Sequence, residues 1–207
     1  MSKVGELDRV TVDQSQLDVR RIALEHMRAL RAVLSRVNLD AVERVVEQLR
    51  LARDSGATVY VAGNGGSAAT ASHWVNDLGK ATKRSGRAPM RVASLSDNAS
   101  WLTALANDEG YEEIFSGQLE NFARDGDVLV VISASGNSPN LVRAVEVARR
   151  QGAVTIGLLG FDGGVLIDSV SECVWLSTEK GAYELVEDGH AVICHILTSC
   201  LAQDRPA

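Results

Sequence analysis

The sequence predicts an α/β fold: a three-layer, five-stranded parallel sheet flanked by helices, with a helical pair before it. After residue 56, short β-branched runs alternate with helix-length segments, which is typical of a parallel sheet covered on both faces. Residues 15–55 instead repeat apolar positions every three or four residues, the period of a helix. The chain has 207 residues, of which 45% are apolar, so it can bury one complete core. We expect a single domain over residues 1–207.

The N-terminal pair consists of two amphipathic helices. The first is predicted over Leu17 to Val37, and the second runs to about Arg53. Asp40, at the break between them, is the expected N-cap of the second helix. Together the two helices carry more apolar surface than one small α/β layer needs, so we expect them to pack against another copy of the chain.

The remaining elements follow from the alternation of short apolar runs and longer segments. The predicted strands are Thr58 to Ala62, Met90 to Leu95, Val128 to Ile132, Thr155 to Leu159 and Cys173 to Leu176. The predicted helices are Ala68 to Ala81, Ala99 to Asn107, Tyr111 to Ala123, Asn140 to Gln151 and Leu185 to Leu201. Ligands of open parallel sheets bind beyond the carboxyl ends of the strands.

Charge and composition argue against several classes of partner. The net charge is −6 and no block of Lys or Arg occurs, so neither nucleic acid nor a membrane surface is an expected partner. No apolar run approaches the roughly 20 residues of a membrane span, and the start of the chain lacks a signal-peptide core. The three cysteines have no metal-type spacing, and their odd number fits a reduced compartment. We expect a cytoplasmic protein.

Two Gly/Ser-rich loops follow predicted strands and lead into predicted helices. The first is Gly63-Asn64-Gly65-Gly66-Ser67; the second, the phosphate loop, is Ser133-Ala134-Ser135-Gly136-Asn137-Ser138. Each places backbone N–H groups and small hydroxyls at a helix N-terminus, where a phosphate is stabilised. The first loop lacks the Lys of a P-loop and the spacing of a dinucleotide fingerprint. A turn that merely caps a helix has a similar composition, but two such loops favour a phosphate site.

The loops and three further segments carry a specific resemblance. They are the first loop with His73, Ala106-Asn107-Asp108, and Gly126-Asp127-Val128-Leu129 running into the phosphate loop. In this combination the chain resembles the sugar isomerase (SIS) domain family. The resemblance implies that the first loop, residues 63–67, contacts a sugar, and we call it the sugar loop. Within that family it is most similar to the phosphoheptose isomerases. The similarity covers nearly the whole chain.

The resemblance implies a role for each matching position. The residues implied to contact the substrate are Asn64, Gly65, Gly66, Asp77, Ser96, Asp97, Ser133, Ala134, Ser135, Ser138 and Glu187. Asp77 and His195 would supply the base and the acid, and His73, Asp77, Glu187 and His195 could hold zinc. His73 and Asp77 are four residues apart, so they share one face of their helix. A histidine on a helix is nevertheless more often structural than a ligand.

Several positions depart from the family pattern. Asp77 stands where relatives normally have Glu, and the shorter Asp side chain withdraws the carboxylate by about one C–C bond. A misplacement of roughly 1 Å can lower a rate on the order of 100-fold. Glu187 stands where Gln is usual, and Leu185 replaces an Arg. Ala134 replaces a residue that is often Thr. We interpret these changes as a shift in substrate with the chemistry retained.

The resemblance implies an aldose–ketose isomerase that converts sedoheptulose 7-phosphate, or a related long-chain ketose phosphate, to D-glycero-D-manno-heptose 7-phosphate through an enediol. It also implies a homotetramer with active sites at subunit interfaces. One alternative is a non-catalytic SIS protein that binds phosphosugars, such as a factor that associates with the replication initiator. Another is a sugar-phosphate sensor attached to a regulator, although no DNA-binding module fits before the sheet.

Overall fold

The computed structural model describes residues 18–83 and 87–203, and within these ranges seven α-helices alternate with five β-strands. The predicted helical start at 15–17 lies outside them. The strands are β1 Thr58–Gly63, β2 Arg91–Ser94, β3 Val128–Ser133, β4 Val154–Leu159 and β5 Glu172–Trp175. The helices are α1 Val19–Leu34, α2 Leu39–Ser55, α3 Gly66–Ala81, α4 Ala99–Asp108, α5 Ser116–Phe122, α6 Pro139–Arg150 and α7 Tyr183–Gln203. The predicted five-stranded α/β architecture is confirmed.

All five strands are parallel, in the order β2-β1-β3-β4-β5. After β1 the chain adds β2 on one side of the sheet, and from β3 it adds β4 and β5 on the other side. The strand order therefore reverses between β1 and β3. Gly63 at the end of β1 pairs with Ile132 near the end of β3. A crevice opens at the carboxyl edge of the sheet where the order reverses, and ligands of such sheets bind there. Both Gly/Ser-rich loops leave the sheet at this point.

The sheet separates two hydrophobic cores because successive strand residues point to opposite faces. The first core packs α2, α3 and α7 against one face and includes Leu49, Trp74 and Leu197. The second core packs α4, α5 and α6 against the other face and includes Phe115 and Leu141. The sugar loop therefore leads into the first helical layer, whereas the phosphate loop leads into the second.

Two local predictions are corrected. The N-cap of α2 is Asn38, whose Oδ1 accepts a hydrogen bond from the Ala41 N–H at 3.2 Å, and not Asp40, which lies in the first helical turn. The helix predicted over 111–123 is divided into a 3₁₀ turn at Tyr111–Glu113 and the short α5. Ile114 and Phe115, between the two pieces, are both buried. A regular helix turns successive side chains about 100° apart, so the break lets both enter the second core.

Helix α1 is the least covered element among the described residues. Its apolar residues Val19, Ile22 and Met27 are exposed, and only Val33 is buried. The helix contacts α7, where Nε2 of His26 lies 2.7 Å from Oδ2 of Asp188. Most of its apolar stripe thus has no partner among the residues of one chain that the structure describes.

Helix α7 is long and apolar enough to cross a membrane by length and composition alone. However, 44% of that segment is buried inside the protein, and it packs on α3 and α1. This burial is the signature of a core helix, which explains its apolar composition.

Candidate active site at the carboxyl edge of the sheet

The phosphate loop forms a tight turn at the end of β3. Ser133 Oγ accepts a hydrogen bond from the Gly136 N–H at 3.0 Å, and Ser135 Oγ accepts one from the Asn137 N–H at 3.2 Å. Gly136 has a φ of +62°, and a Cβ at this residue would overlap the carbonyl oxygen of Gly163. Only glycine fits such a backbone.

Ser138 is the N-cap residue of α6, but its side chain makes no capping hydrogen bond. Its hydroxyl is therefore available to a ligand at the helix N-terminus, where unpaired N–H groups and the helix dipole attract an anion. A cavity of about 160 Å³ opens in front of this terminus. It is lined by Asn64, Ser67, Ile132, Ser133, Ala134, Ser135, Ser138, Leu141, Tyr183 and Glu187. The structure thus brings the four predicted substrate-binding residues of the phosphate loop, Ser133, Ala134, Ser135 and Ser138, to one cavity.

Glu187 contributes a carboxylate to this cavity. Gly66 begins α3, and a Cβ there would meet both carboxylate oxygens of Glu187. The negative charge lies next to the positive end of α3, which stabilises it. The carboxylate of Glu187 also lines the cavity in front of the phosphate loop, where its negative charge repels a phosphate.

His73, Asp77 and His195 form a second cluster, the histidine–aspartate cluster. Nε2 of His73 lies 3.1 Å from Nε2 of His195, and Oδ2 of Asp77 lies 3.4 Å from the former and 3.5 Å from the latter. The one-turn spacing on α3 directs His73 and Asp77 to the same face, as predicted. Helix α7 packs on α3 and supplies His195.

The histidine–aspartate cluster has the dimensions of a metal site. Zinc bonds of about 2.0–2.1 Å to nitrogen and oxygen place tetrahedral ligands about 3.3 Å apart. The three observed edges, 3.1, 3.4 and 3.5 Å, match that spacing. Among the described residues, these are the His, Cys, Asp and Glu side chains whose ligand atoms converge in this way. Glu187, the predicted fourth ligand, is not in this group and lies against Gly66.

The inner faces of the two helices hold the cluster in place. Trp74 is completely buried, and its Nε1 donates to Oγ1 of Thr198 at 3.1 Å. This bond fixes the rotation of α3 against α7, so His73 and His195 meet on the outer side. Cys194 lies beside His195 in the core, where burial and the nearby charge of Asp77 raise the pKa of its thiol. The thiol stays neutral, as expected of a cysteine that serves as a small core residue.

Ser96 and Asp97 make contacts within the protein. Ser96 Oγ donates to the carbonyl of Gly63 at 3.0 Å, which fastens the end of β1. Asp97 accepts a hydrogen bond from the hydroxyl of Ser72 on α3. Ser96 also lines a second cavity, of about 200 Å³, on the other side of Asn64. Their predicted contacts with the sugar stay predictions.

Two residues beside the site were not predicted from the sequence. The side chains of Asn64 and Asn140 form a reciprocal amide pair, with both N–H···O distances 2.9 Å. The hydroxyl of Tyr111 donates to Oδ1 of Asn64 at 3.1 Å. One available signal was the position of Asn140, an uncharged polar residue directly after the Pro139 that begins α6.

Comparisons with known proteins agree with this geometry. The SIS domain family model matches residues 24–160. Phosphoheptose isomerase from Geobacter sp. (strain M21) is 41% identical over 184 residues, which are 89% of this chain and 92% of that protein. The phosphoheptose isomerase of Citrifermentans bemidjiense is 42% identical over 180 residues, covering 87% of this chain and 90% of that protein.

A solved structure similar to this chain is also a phosphoheptose isomerase. The phosphoheptose isomerase of Neisseria gonorrhoeae superposes with a TM-score of 0.80 at 27% identity, covering 89% of this chain and 98% of that one. The family model, the two relatives and the solved structure all point to one family. The chain belongs to the SIS domain family, and it is similar to the phosphoheptose isomerases described above.

Proposed function

We propose that this protein is a phosphosugar aldose–ketose isomerase that converts sedoheptulose 7-phosphate to D-glycero-D-manno-heptose 7-phosphate. One observation carries the proposal: the cavity at the phosphate loop and the histidine–aspartate cluster are built on the same two helices. Ser67 and Glu187 line the cavity, and His73, Asp77 and His195 follow further along α3 and α7. The names of the relatives supply the seven-carbon substrate.

The isomerisation moves one proton between adjacent carbons through an enediol, so it needs a base at the C–H and an acid at the oxygen. Oδ2 of Asp77 takes the proton from carbon, and Nε2 of His195 serves the neighbouring oxygen. Their 3.5 Å separation suits groups that act on adjacent atoms of one substrate. His73 Nε2 lies within hydrogen-bond distance of His195, at 3.1 Å, and pairs with Asp77 Oδ2 at 3.4 Å, so it orients both groups.

The phosphate loop anchors the distal end of the substrate. The hydroxyls of Ser133, Ser135 and Ser138, together with the backbone N–H groups of the loop and of α6, bind the phosphate oxygens. Ala134 lacks a hydroxyl but retains its N–H. Because the anchor holds one end of an open-chain sugar, the reacting carbons are delivered to the histidine–aspartate cluster.

Zinc is the proposed cofactor. His73, Asp77 and His195 would hold it, and Glu187 would complete the set after a change of side-chain rotamer. Zinc bound at Nε2 of His195 would occupy the atom that otherwise serves the substrate oxygen, and it would polarise that oxygen as a Lewis acid instead. The triangular spacing of the three donor atoms supports this assignment.

The non-catalytic alternative predicts that acid and base groups are lost. Here Asp77 and His195 are both present and lie within 3.5 Å of each other, so the isomerase is favoured. The most direct test incubates the protein with sedoheptulose 7-phosphate in deuterated water and follows exchange at C1 and C2 by NMR. We expect exchange and formation of an aldose phosphate. No exchange with any ketose phosphate would favour the binding protein.

We further propose a cytoplasmic homotetramer in which neighbouring chains complete the active sites. The exposed apolar stripe of α1 supports assembly, since Val19 and Met27 are each 65% exposed in a single chain. Sedimentation of the full chain is expected to give a tetramer, and Met27→Glu should shift it toward smaller species. A parent that sediments only as a monomer would contradict the assembly.

A further inference from the structure

Asn64 in the sugar loop is held by more hydrogen bonds than a solvent-facing loop residue needs. Its Oδ1 accepts from Nδ2 of Asn140 at 2.9 Å and from the hydroxyl of Tyr111 at 3.1 Å. Its Nδ2 donates to Oδ1 of Asn140 at 2.9 Å. A side-chain amide has two acceptor lone pairs and two N–H donors. Both lone pairs are therefore occupied, and one N–H remains.

The partners of Asn64 come from two other parts of the fold. Asn140 lies on α6, two residues after Ser138 of the phosphate loop, and is only 1% exposed. Because a buried amide is costly to leave unpaired, this pair ties the two loops together firmly. Tyr111 belongs to the 3₁₀ turn that replaces the start of a predicted helix.

The 3₁₀ turn is itself fastened to α6. Both Nε and Nη2 of Arg143 donate to Oε1 of Glu113 at 3.1 Å. Tyr111 is consequently held at a defined distance from the same helix that carries Asn140. Asn140 and Tyr111 therefore both hold the Asn64 amide, and both are attached to α6. The orientation of the amide is thus fixed relative to the phosphate loop.

We propose that Asn140 and Tyr111 are positioning residues that orient the Asn64 amide, so that its one remaining N–H donates to an oxygen of the sugar. The inference rests on the proposed function, because it assumes a phosphosugar substrate. Asn64 lines both the 160 Å³ phosphate cavity and the adjoining 200 Å³ cavity. The remaining N–H of the amide can bind a hydrogen-bond acceptor of the sugar, such as a carbonyl or hydroxyl oxygen. The amide oxygen is already fully occupied and cannot accept a hydrogen bond from the sugar.

The test separates recognition of the sugar from recognition of the phosphate. Calorimetry on the full chain measures Kd for sedoheptulose 7-phosphate and for inorganic phosphate, and the ratio of the two reports the contribution of the sugar. Tyr111→Phe removes one hydroxyl from an exposed residue, so the fold is retained. We expect the preference for the sugar phosphate to fall about threefold to tenfold, with Kd for inorganic phosphate unchanged within twofold. Asn140→Leu should lower the preference at least tenfold.

Tyr60→Phe is the matched control. Like Tyr111→Phe, it removes a hydrogen-bonded phenol hydroxyl, but the hydroxyl of Tyr60 donates to the backbone carbonyl of Phe122, and Tyr60 lines a cavity at the opposite edge of the sheet. The preference for the sugar phosphate should not change in this variant. An equal loss in Tyr60→Phe would show that the effect of Tyr111→Phe is general and would overturn the inference.

A double-mutant cycle distinguishes positioning from a merely structural role. In an Asn64→Ala background, Tyr111→Phe should have no further effect on the preference, because the group it orients is gone. Replacing both members of the amide pair with Leu should recover stability relative to Asn140→Leu alone, since no buried polar group is left unpaired, while the preference stays low.

Turnover by the parent separates this inference from the proposed function. A parent that prefers the heptose phosphate to inorganic phosphate without isomerising it would contradict the isomerase, while the variants would still test the amide. An unchanged preference in Tyr111→Phe, or a parent with no preference at all, would overturn the role of Asn140 and Tyr111.

Discussion

Oδ2 of Asp77 lies 3.5 Å from Nε2 of His195, although the two residues belong to different helices. The family pattern places a longer Glu at position 77, yet the Asp carboxylate reaches both histidines here. The shorter side chain is therefore accommodated by the spacing of α3 and α7.

Restoring the family residue should harm this protein. Asp77→Glu pushes the carboxylate about one C–C bond beyond its observed position, and we expect kcat to fall roughly 10- to 100-fold. Asp77→Asn, which removes the base, should lower kcat on the order of 1000-fold. Steady-state kinetics with sedoheptulose 7-phosphate measure both. Asp40→Glu, in the first turn of α2, is the matched control and should leave kcat unchanged. A faster Asp77→Glu variant would contradict the fitted geometry.

Metal binding should depend on the three converging residues. We expect about one zinc per chain by calorimetry and elemental analysis, together with a higher Tm when zinc is added, because a ligand that binds the folded state stabilises it. His73→Ala and His195→Ala should each abolish both effects. His26→Gln, which changes a histidine that pairs with Asp188 on the outside of α7, should retain them. Stoichiometric zinc in His73→Ala would refute the site.

Neutralising Glu187 should strengthen phosphate binding. The Glu187→Gln variant removes a negative charge from the cavity that receives the phosphate, so the inhibition constant for inorganic phosphate should fall about threefold to tenfold at low salt. Added salt should shrink the difference. Glu184→Gln changes an exposed residue one turn earlier on α7 and serves as the control. Equal inhibition constants for Glu187→Gln and the parent would mean that the carboxylate moves away when phosphate binds.

The phosphate loop should not tolerate a side chain at Gly136. Both Gly136 and Gly126 have positive φ, but a Cβ at Gly126 has nothing within 4 Å, whereas one at Gly136 overlaps the Gly163 carbonyl. Gly126→Ala should therefore lower the free energy of unfolding by about 1–2 kcal/mol through backbone strain alone. Gly136→Ala should lower it further and abolish inhibition by phosphate. Urea titrations give the comparison, and similar losses in the two variants would contradict the close approach.

Stability should fall in acid because of His190. This side chain is 1% exposed, and neither ring nitrogen has a hydrogen bond of normal geometry to any residue within 18–83 and 87–203. Burial lowers the pKa of His190 from 6.5 to about 4, partly offset by the Leu159 backbone. Between pH 6.5 and about pH 4, His190 is protonated in the unfolded chain but neutral in the folded chain, so the free energy of unfolding declines as pH falls.

The size of this effect follows from the two pKa values. The free energy of unfolding should drop by roughly 3 kcal/mol between pH 6.5 and pH 4 on account of His190. His190→Leu should flatten that part of the profile, measured by urea unfolding at a series of pH values. A His190→Leu profile as steep as that of the parent would assign the acid sensitivity to other groups.

The fold could be predicted almost completely from the sequence because the three central strands are rich in β-branched residues and the long helices have a clear period. The break in the predicted helix at Ile114 and Phe115 could not be predicted, since it depends on both side chains entering the second core. Similarly, Asn38 and Asp40 are both good capping residues, and only the path of the chain decides between them.

At the site, local spacing predicted that His73 and Asp77 meet, and the resemblance supplied His195. The position of Glu187 depends on its rotamer, which spacing does not set. The pairing of Asn64 with Asn140 was not foreseen, because it joins two loops that are distant in the chain and close only after the sheet has formed. Contacts of this kind carry no periodic signal.

The division of the core by the sheet has a consequence for engineering. His73, Asp77 and His195 stand on the layer of α2, α3 and α7, whereas the phosphate loop leads into the layer of α4, α5 and α6. Libraries that remodel the second layer can alter which phosphorylated molecule is held without disturbing the packing beneath the reactive groups. The scaffold is thus suited to stepwise diversification, with anchoring and chemistry mutated in separate rounds.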